Sequence, residues 1–222
     1  MKHRAVLETE RLAVRVATEG DVDLFYSLWT NPEVMRYVGF PSGLPVTRRQ
    51  LKQRLSAQAG SEFERLLVVE LKATAQAIGE CKLSCPDEAG IAEPDVKLLP
   101  EFWGHKYGAE VWQALVSCQF TNTDCVFVQA TPNVNNVASI KMQEAIGGVR
   151  TGEGLYQFPE SMQGYTAPVR HYIYRVRRVD WQLRQPDRRA SLLRLPGQDH
   201  GPHTPLPQHH DRSRETGRAL DR

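Results

Sequence analysis

The chain has 222 residues, and its 28 Lys and Arg nearly balance 26 Asp and Glu, giving a formal net charge of +2. So even a balance offers no electrostatic reason to expect nucleic acid or a membrane surface as a partner. No apolar stretch approaches the roughly 18 residues of a bilayer span, and Met1-Lys2-His3-Arg4 leads into charges rather than a signal peptide's apolar core, so a cytoplasmic protein is expected.

Leu12 to Val16 alternates as a strand does, and Thr18-Glu19-Gly20-Asp21 has capping-box spacing, predicting a helix from Val22 that ends by Asn31-Pro32. Thr47-Arg48-Arg49-Gln50 is a second capping box, opening a helix from Leu51 to about Ala57 with a basic, solvated outer face. Leu66–Leu71 and Ala77–Leu83 flank a turn at 73–76 and predict a hairpin. Cys81, Cys85, Cys118 and Cys125 form no CxxC pair and have no histidine at ligand spacing, so reduced thiols are expected and no metal.

The most telling stretch is Asp95–Glu110. A strand, Asp95–Leu99, is stopped by Pro100; a turn with Gly104 and Gly108 follows, then an amphipathic helix from Ala109 to about Thr121. Such a unit aims unpaired backbone N–H groups and the positive end of a helix dipole at one spot, which suits a phosphate. Val126–Ala130 is the next strand. Asn135-Asn136 and Gly147-Gly148 bracket a helix of about three turns. Strands around Val149-Arg150 and Arg170–Arg175 close a domain spanning 1–181. Residues 182–222 hold five of the 14 prolines, four of the seven histidines and eight arginines with almost no apolar periodicity, so a disordered tail is expected.

The order β-α-α-β-β-β-α-β-α-β-β points to a mixed α/β domain. Four segments in that order, LETERLAVR, NPEVMRYVG, LLPEFWGHKYGAE and NNVASIKMQEAIGG, together resemble the GNAT acetyltransferase superfamily, in particular its branch of ribosomal-protein N-terminal (RimJ/RimL-like) acetyltransferases. The resemblance covers about residues 5–178. It implies a central, mostly antiparallel sheet in which two parallel strands, here 95–99 and 126–130, splay apart to admit acetyl-CoA.

The family's phosphate turn, Q/R-x-x-G-x-G/A, falls on Trp103-Gly104-His105-Lys106-Tyr107-Gly108, with Lys106 where Gly is usual. The resemblance implies that the N–H groups of His105 to Gly108 carry the phosphates and that the N–H of Leu98 or Leu99 meets the carbonyl oxygen. Asn136 is implied to contact CoA. The general base is expected to be a carboxylate among Glu93, Asp95 and Glu80. Seven residues after Asn136, where the superfamily often has an acidic Tyr, stands Gln143, leaving Ser139 to contact or protonate the sulfur. Gly148, where Phe is usual, removes a ring and is expected to relax the end of its helix.

The activity implied is acetyl transfer from acetyl-CoA to a primary amine, a peptide N-terminus or a small molecule, in a ternary complex of a monomer or homodimer. Tyr26, Trp29, Tyr37, Phe40, Tyr156, Phe158 and Tyr165 are expected to wall the acceptor site, and the lack of a dense acidic patch argues against a polyamine or aminoglycoside. Two alternatives stay open from sequence: a catalytically silent acyl-CoA-binding domain for sensing or scaffolding, and a phosphate or nucleotide binder sharing only the strand-turn-helix unit.

Overall fold

In the computed structural model, which describes residues 4–184, the alternating stretch is a strand, β2 (Leu12–Val16), with Leu12 and Val14 wholly buried. It lies between β1 (Ala5–Glu8) and β3 (Leu67–Leu71), and the expected hairpin carries β3 into β4 (Ala77–Lys82). Two short runs follow, β5 (Ile91–Ala92) and β6 (Asp95–Leu98). One sheet has the order β1-β2-β3-β4-β6, antiparallel throughout. The other has the order β5-β7-β9-β8, with β7 (Phe127–Ala130), β8 (Val149–Tyr156) and β9 (Val169–Arg177). In it β5 and β7 are parallel and the remaining pairs antiparallel.

The two sheets share a single extended run, residues 91–98. Before Pro94 it pairs with β7, through Ile91–Phe127 and Ala92–Val128. After Pro94 it pairs with β4 instead, from Lys82–Asp95 to Gly79–Leu98. Proline has no N–H to give to either ladder, so the change of partner falls there at least cost. Beyond it, β6 and β7 are no longer neighbours.

Among the described residues six helices cover the sheets: α1 (Val22–Thr30), α2 (Pro32–Met35), α3 (Arg48–Ser56), α4 (Tyr107–Asn122), α5 (Val137–Ala145) and α6 (Arg178–Arg184). Val111, Trp112, Leu115, Val116 and Phe120 form the helical stripe that buries α4 on Leu12, Val14, Leu67, Val69, Cys81, Leu98, Val128 and Val176. On the opposite face Val68 meets Phe25, Leu28 and Trp29 of α1 and Leu51 and Leu55 of α3. Both capping boxes form where the spacing places them: Gln50 Oε1 accepts the Thr47 N–H at 2.9 Å, and Asp21 accepts that of Thr18 at 2.7 Å.

Four elements were not expected. β5 is too short to show a period and β1, Ala5-Val6-Leu7-Glu8, does not alternate, α2 restarts the chain at Pro32 in the first helical position, and α6 continues past Trp181 to Arg184. The end of α5 corrects the expectation drawn from Gly148. It is tightly closed: the Gly148 N–H reaches the Gln143 carbonyl at 2.9 Å, and a Cβ on Gly148 would stand 2.8 Å from that oxygen. Gly147 takes the left-handed turn (φ +81°), and Arg184 Nη1 covers it by donating to the Ile146 carbonyl at 2.6 Å. The tail expected to be disordered lies, from residue 185, outside the described residues. Among those described, no helix is long and apolar enough to cross a membrane.

Asp21 does more than cap. Its carboxylate accepts two bonds from Arg15, at 2.8 and 2.7 Å, and Arg15 also reaches Glu70 at 2.8 Å, with the Arg15 and Asp21 side chains only 11% and 9% exposed. Burial pushes the Asp21 carboxyl up, but the Arg15 guanidinium and Thr18 outweigh it and hold it below the usual range. A depressed carboxyl contributes stability above its unfolded pKa and loses it as pH falls through the folded one. Asp21→Asn is expected to cost on the order of 3 kcal/mol at neutral pH. In urea denaturation across a pH series, that deficit should hold down to about pH 4 and shrink below it.

Candidate active site

β6 alternates its backbone as well as its side chains. The Leu99 N–H donates to the Ile78 carbonyl at 2.9 Å, so in an antiparallel pair the N–H and C=O of Leu98 point the other way, into the gap left by β7. The Leu98 carbonyl takes the indole N–H of Trp103 at 2.9 Å. Of the two expected N–H donors, Leu99 is thus committed to the sheet and Leu98 faces the gap.

A single 3-10 turn, Pro100–Phe102, then leads to the expected phosphate turn. Gly104 takes φ +80° and Lys106 φ +63°, after which Tyr107 begins α4. The first-turn N–H groups of Tyr107, Gly108 and Ala109 have no carbonyl within the helix to accept them. Lys106 therefore does what glycine does at that place, at a cost of roughly 1–2 kcal/mol for a residue with a Cβ. Gly108 lies between two apolar walls: a Cβ there would stand 3.9 Å from Leu98 Cδ1 and 3.8 Å from Met142 Sδ.

A clamp that sequence reasoning missed fixes this turn. Glu110 accepts the Thr9 hydroxyl at 2.5 Å, the Arg11 N–H at 3.0 Å and Arg11 Nε at 2.6 Å. The same guanidinium donates to the His105 carbonyl at 3.2 Å and lies 4.5 Å from the centre of the Tyr107 ring, on which His105 stacks. Burial raises the Glu110 carboxyl, yet Thr9 and Arg11 hold it below its ordinary value. The LETERL segment thus ties the β1–β2 turn to the start of α4, a link of about 100 residues that no local spacing reveals.

From the other side of the gap comes α5. Asn136 is its N-cap, Oδ1 accepting the Ser139 N–H at 3.2 Å. Ser139 precedes Met142 by one turn, so it shares the side of α5 that approaches Gly108. Gln143, at the position of the missing tyrosine, is buried at 2% exposure.

The three candidate carboxylates are treated differently. Glu80, 4% exposed, accepts the Trp29 indole N–H at 2.7 Å and faces Lys97 Nζ at 3.3 Å. Lys97 also binds Asp95, so one ammonium serves both. Burial pushes Asp95 up and Lys97 down, but their attraction wins: the Asp95 carboxyl is lowered and the Lys97 ammonium raised. Glu93 stands apart, exposed at the change of partner, where it accepts from Gln129 Nε2. Gln129 Oε1 in turn accepts Arg175 Nε at 2.7 Å. Of the expected aromatic wall, the structure gathers Phe40, Tyr156, Phe158 and Tyr165 into one cluster, with ring centres 4.9 to 6.3 Å apart. Trp29 is buried beneath α3, while Tyr26 and Tyr37 lie under Arg48 and Arg36.

The profile of the acetyltransferase (GNAT) domain matches residues 11–149. The chain belongs to the GNAT acetyltransferase family. The uncharacterized N-acetyltransferase p20 of Bacillus licheniformis is 28% identical over 160 residues, 71% of this chain and 89% of p20. Two solved structures share the GNAT fold. Spermidine N-acetyltransferase from Vibrio cholerae, in complex with CoA and spermine, superposes with a TM-score of 0.64 at 19% identity, covering 78% of this chain and 99% of its own. Ribosomal-protein-S5-alanine acetyltransferase from Vibrio fischeri gives 0.63 at 19% identity, covering 79% and 97%.

In this GNAT chain the left-handed Lys106 is a local strain that glycine relieves. Lys106→Gly is expected to raise stability by roughly 1 kcal/mol or less, since glycine's added unfolded-state entropy offsets part of the gain. Thermal unfolding of the two proteins measures it.

Proposed function

We propose that this acetyltransferase moves an acetyl group from acetyl-CoA directly to a primary amine, both bound at once. The observation that carries the reading is the Leu98 N–H, turned into the gap between β6 and β7 beside the N-terminus of α4. The residues present fit the cosubstrate. The N–H groups of His105, Lys106, Tyr107 and Gly108 converge at a helix start suited to a pyrophosphate, with the exposed Lys106 ammonium beside them. Asn136 and Ser139 flank the gap from α5. Bound there, acetyl-CoA supplies an activated thioester.

Leu98 donates its N–H to the thioester oxygen as it gains charge, an interaction strongest in the tetrahedral state. Glu93 is the proposed base: it is the carboxylate of the three not held by an ammonium. It lies five residues before Leu98, roughly 15 Å along an extended chain, so it takes the amine proton through water. The amine nitrogen then bonds to the carbonyl carbon and the C–S bond breaks. Ser139 donates to the departing sulfur, which at an ordinary thiol pKa of about 8.5 leaves tolerably with little help.

The acceptor is proposed to be a peptide or protein N-terminus, as the Vibrio fischeri neighbour's name and the branch resemblance of NPEVMRYVG suggest. The Phe40–Phe158 cluster offers an apolar wall for its first side chain. Four unpaired cysteines accord with a cytoplasmic setting.

Titration calorimetry of the full chain with acetyl-CoA is expected to give one micromolar site; no binding would remove the reading. Glu93→Gln should leave that binding intact and lower kcat for CoA release about 100-fold. If Glu80→Gln has that effect and Glu93→Gln does not, the base is Glu80.

A further inference from the structure

Four polar or charged side chains are buried among the described residues: Asp21, Glu80, Gln119 and Gln143. Three of them are partnered. Asp21 is held by Arg15 and Thr18, and Glu80 by Trp29 and Lys97. Gln119 exchanges two bonds with the backbone of Ser84, at 3.2 and 2.8 Å. Gln143, 2% exposed, makes no side-chain hydrogen bond to a described residue. Its amide is not sealed in either, since the fully occluded side-chain atoms without a partner are Arg65 Nε and Trp112 Nε1. A buried amide left without a partner costs stability, so packing gives no reason for it.

Its place on α5 gives another reason. Gln143 is the buried residue of that helix and stands one turn after Ser139. Helical side chains lean toward the N-terminus, so the stem of Gln143 runs back over the turn that carries Ser139. That turn adjoins the gap: the preceding residue, Met142, and Leu98 of β6 stand on either side of Gly108, 3.8 and 3.9 Å from where its Cβ would be. A donor with no partner in the protein thus sits beside the place proposed for the thioester.

We infer that Gln143 is a second donor to the sulfur of CoA, alongside Ser139, and that it acts on the departing thiolate rather than on the bound thioester. The inference rests on the acetyl-transfer reading above and adds to it a residue that steadies the leaving group. A thioester sulfur is a weak acceptor, whereas a thiolate is charged and accepts strongly. As the C–S bond breaks, its electron pair passes to sulfur and the bond from the Gln143 amide N–H strengthens. The interaction is therefore realised in the transition state and not in the ground state. The amide keeps its own proton, and the thiolate takes one from water on release.

The test compares CoA with desulfo-CoA, which lacks only the sulfur, by titration calorimetry of the full chain at pH 9, where most free CoA is thiolate. The native protein is expected to prefer CoA. Gln143→Met keeps the length of the side chain and removes the amide, and should lower that preference about tenfold. Acetyl-CoA affinity should stay unchanged in the variant, and its thermal unfolding should come no earlier, because no bond within the protein is lost. A purely structural role would instead weaken all three ligands together and lower the unfolding temperature. Should Gln143→Met not fold, Gln143→Asn decides: it draws the amide back by one methylene and should lower the preference in the same way. An unchanged ratio of CoA to desulfo-CoA affinity in either folded variant overturns the inference. So does native protein that binds acetyl-CoA but does not prefer CoA to desulfo-CoA. Both results leave the acetyl-transfer reading standing; absence of acetyl-CoA binding removes that reading, and this inference with it.

Discussion

Everything at the candidate site follows from the change of partner at Pro94. One extended run lies along β7 at Ile91-Ala92 and along β4 from Asp95. Had it kept β7 as a neighbour through Leu98, the outward N–H of Leu98 would be closed into a ladder. Because it changes, β6 becomes an edge whose outward N–H and C=O face a gap rather than solvent. An edge strand is usually a liability; here the next turn and α5 frame it. The same break leaves Glu93 exposed between the two sheets, joined by its side chain to β7 and β9.

The turn before α4 shows how a local departure is tolerated. Lys106 holds a backbone conformation that a side chain disfavours, and nothing in the turn itself compensates. Compensation comes from the β1–β2 turn, where Thr9 and Arg11 fix Glu110 and the His105 carbonyl. The clamp spans both sides of the strained residue, so the start of α4 is over-determined and Lys106 has little freedom to relax. A rigid helix start is also what an anion site needs, since N–H groups already aimed require no reordering on binding.

Along β4 and β6, charge is distributed by pairing rather than by surplus. Glu80 is satisfied by Trp29 and Lys97, Asp95 by Lys97, and Glu93 by Gln129 with Arg175 behind it. Each carboxylate that could attract a cation already has a donor, which gives structural form to the lack of a dense acidic patch in the sequence. The aromatic cluster of Phe40, Tyr156, Phe158 and Tyr165 joins the segment after α2 to the β8–β9 connection, so it is assembled from two distant parts of the chain.

Local chemistry settled what is local. The helices α1, α3, α4 and α5 were legible because capping residues and helical stripes act within one or two turns. Strands β2, β3, β4 and β7 were legible because alternation or an apolar run shows over four or more residues. β5 escaped because two residues carry no period, β1 because Ala5-Val6-Leu7-Glu8 does not alternate, and α6 because seven residues make only about two turns. At the candidate site, the sequence by itself determined the glycine-containing turn before α4, the N-cap at Asn136 and the identity of the candidate carboxylates. Only the tertiary structure decided which backbone N–H faces the gap, that Glu110 is gripped from residues 9–11, and that Lys97 claims Glu80 and Asp95 while Glu93 goes elsewhere. Those are matters of strand register and of contacts between remote segments, and register is fixed by packing two faces at once, which no single stretch of sequence contains.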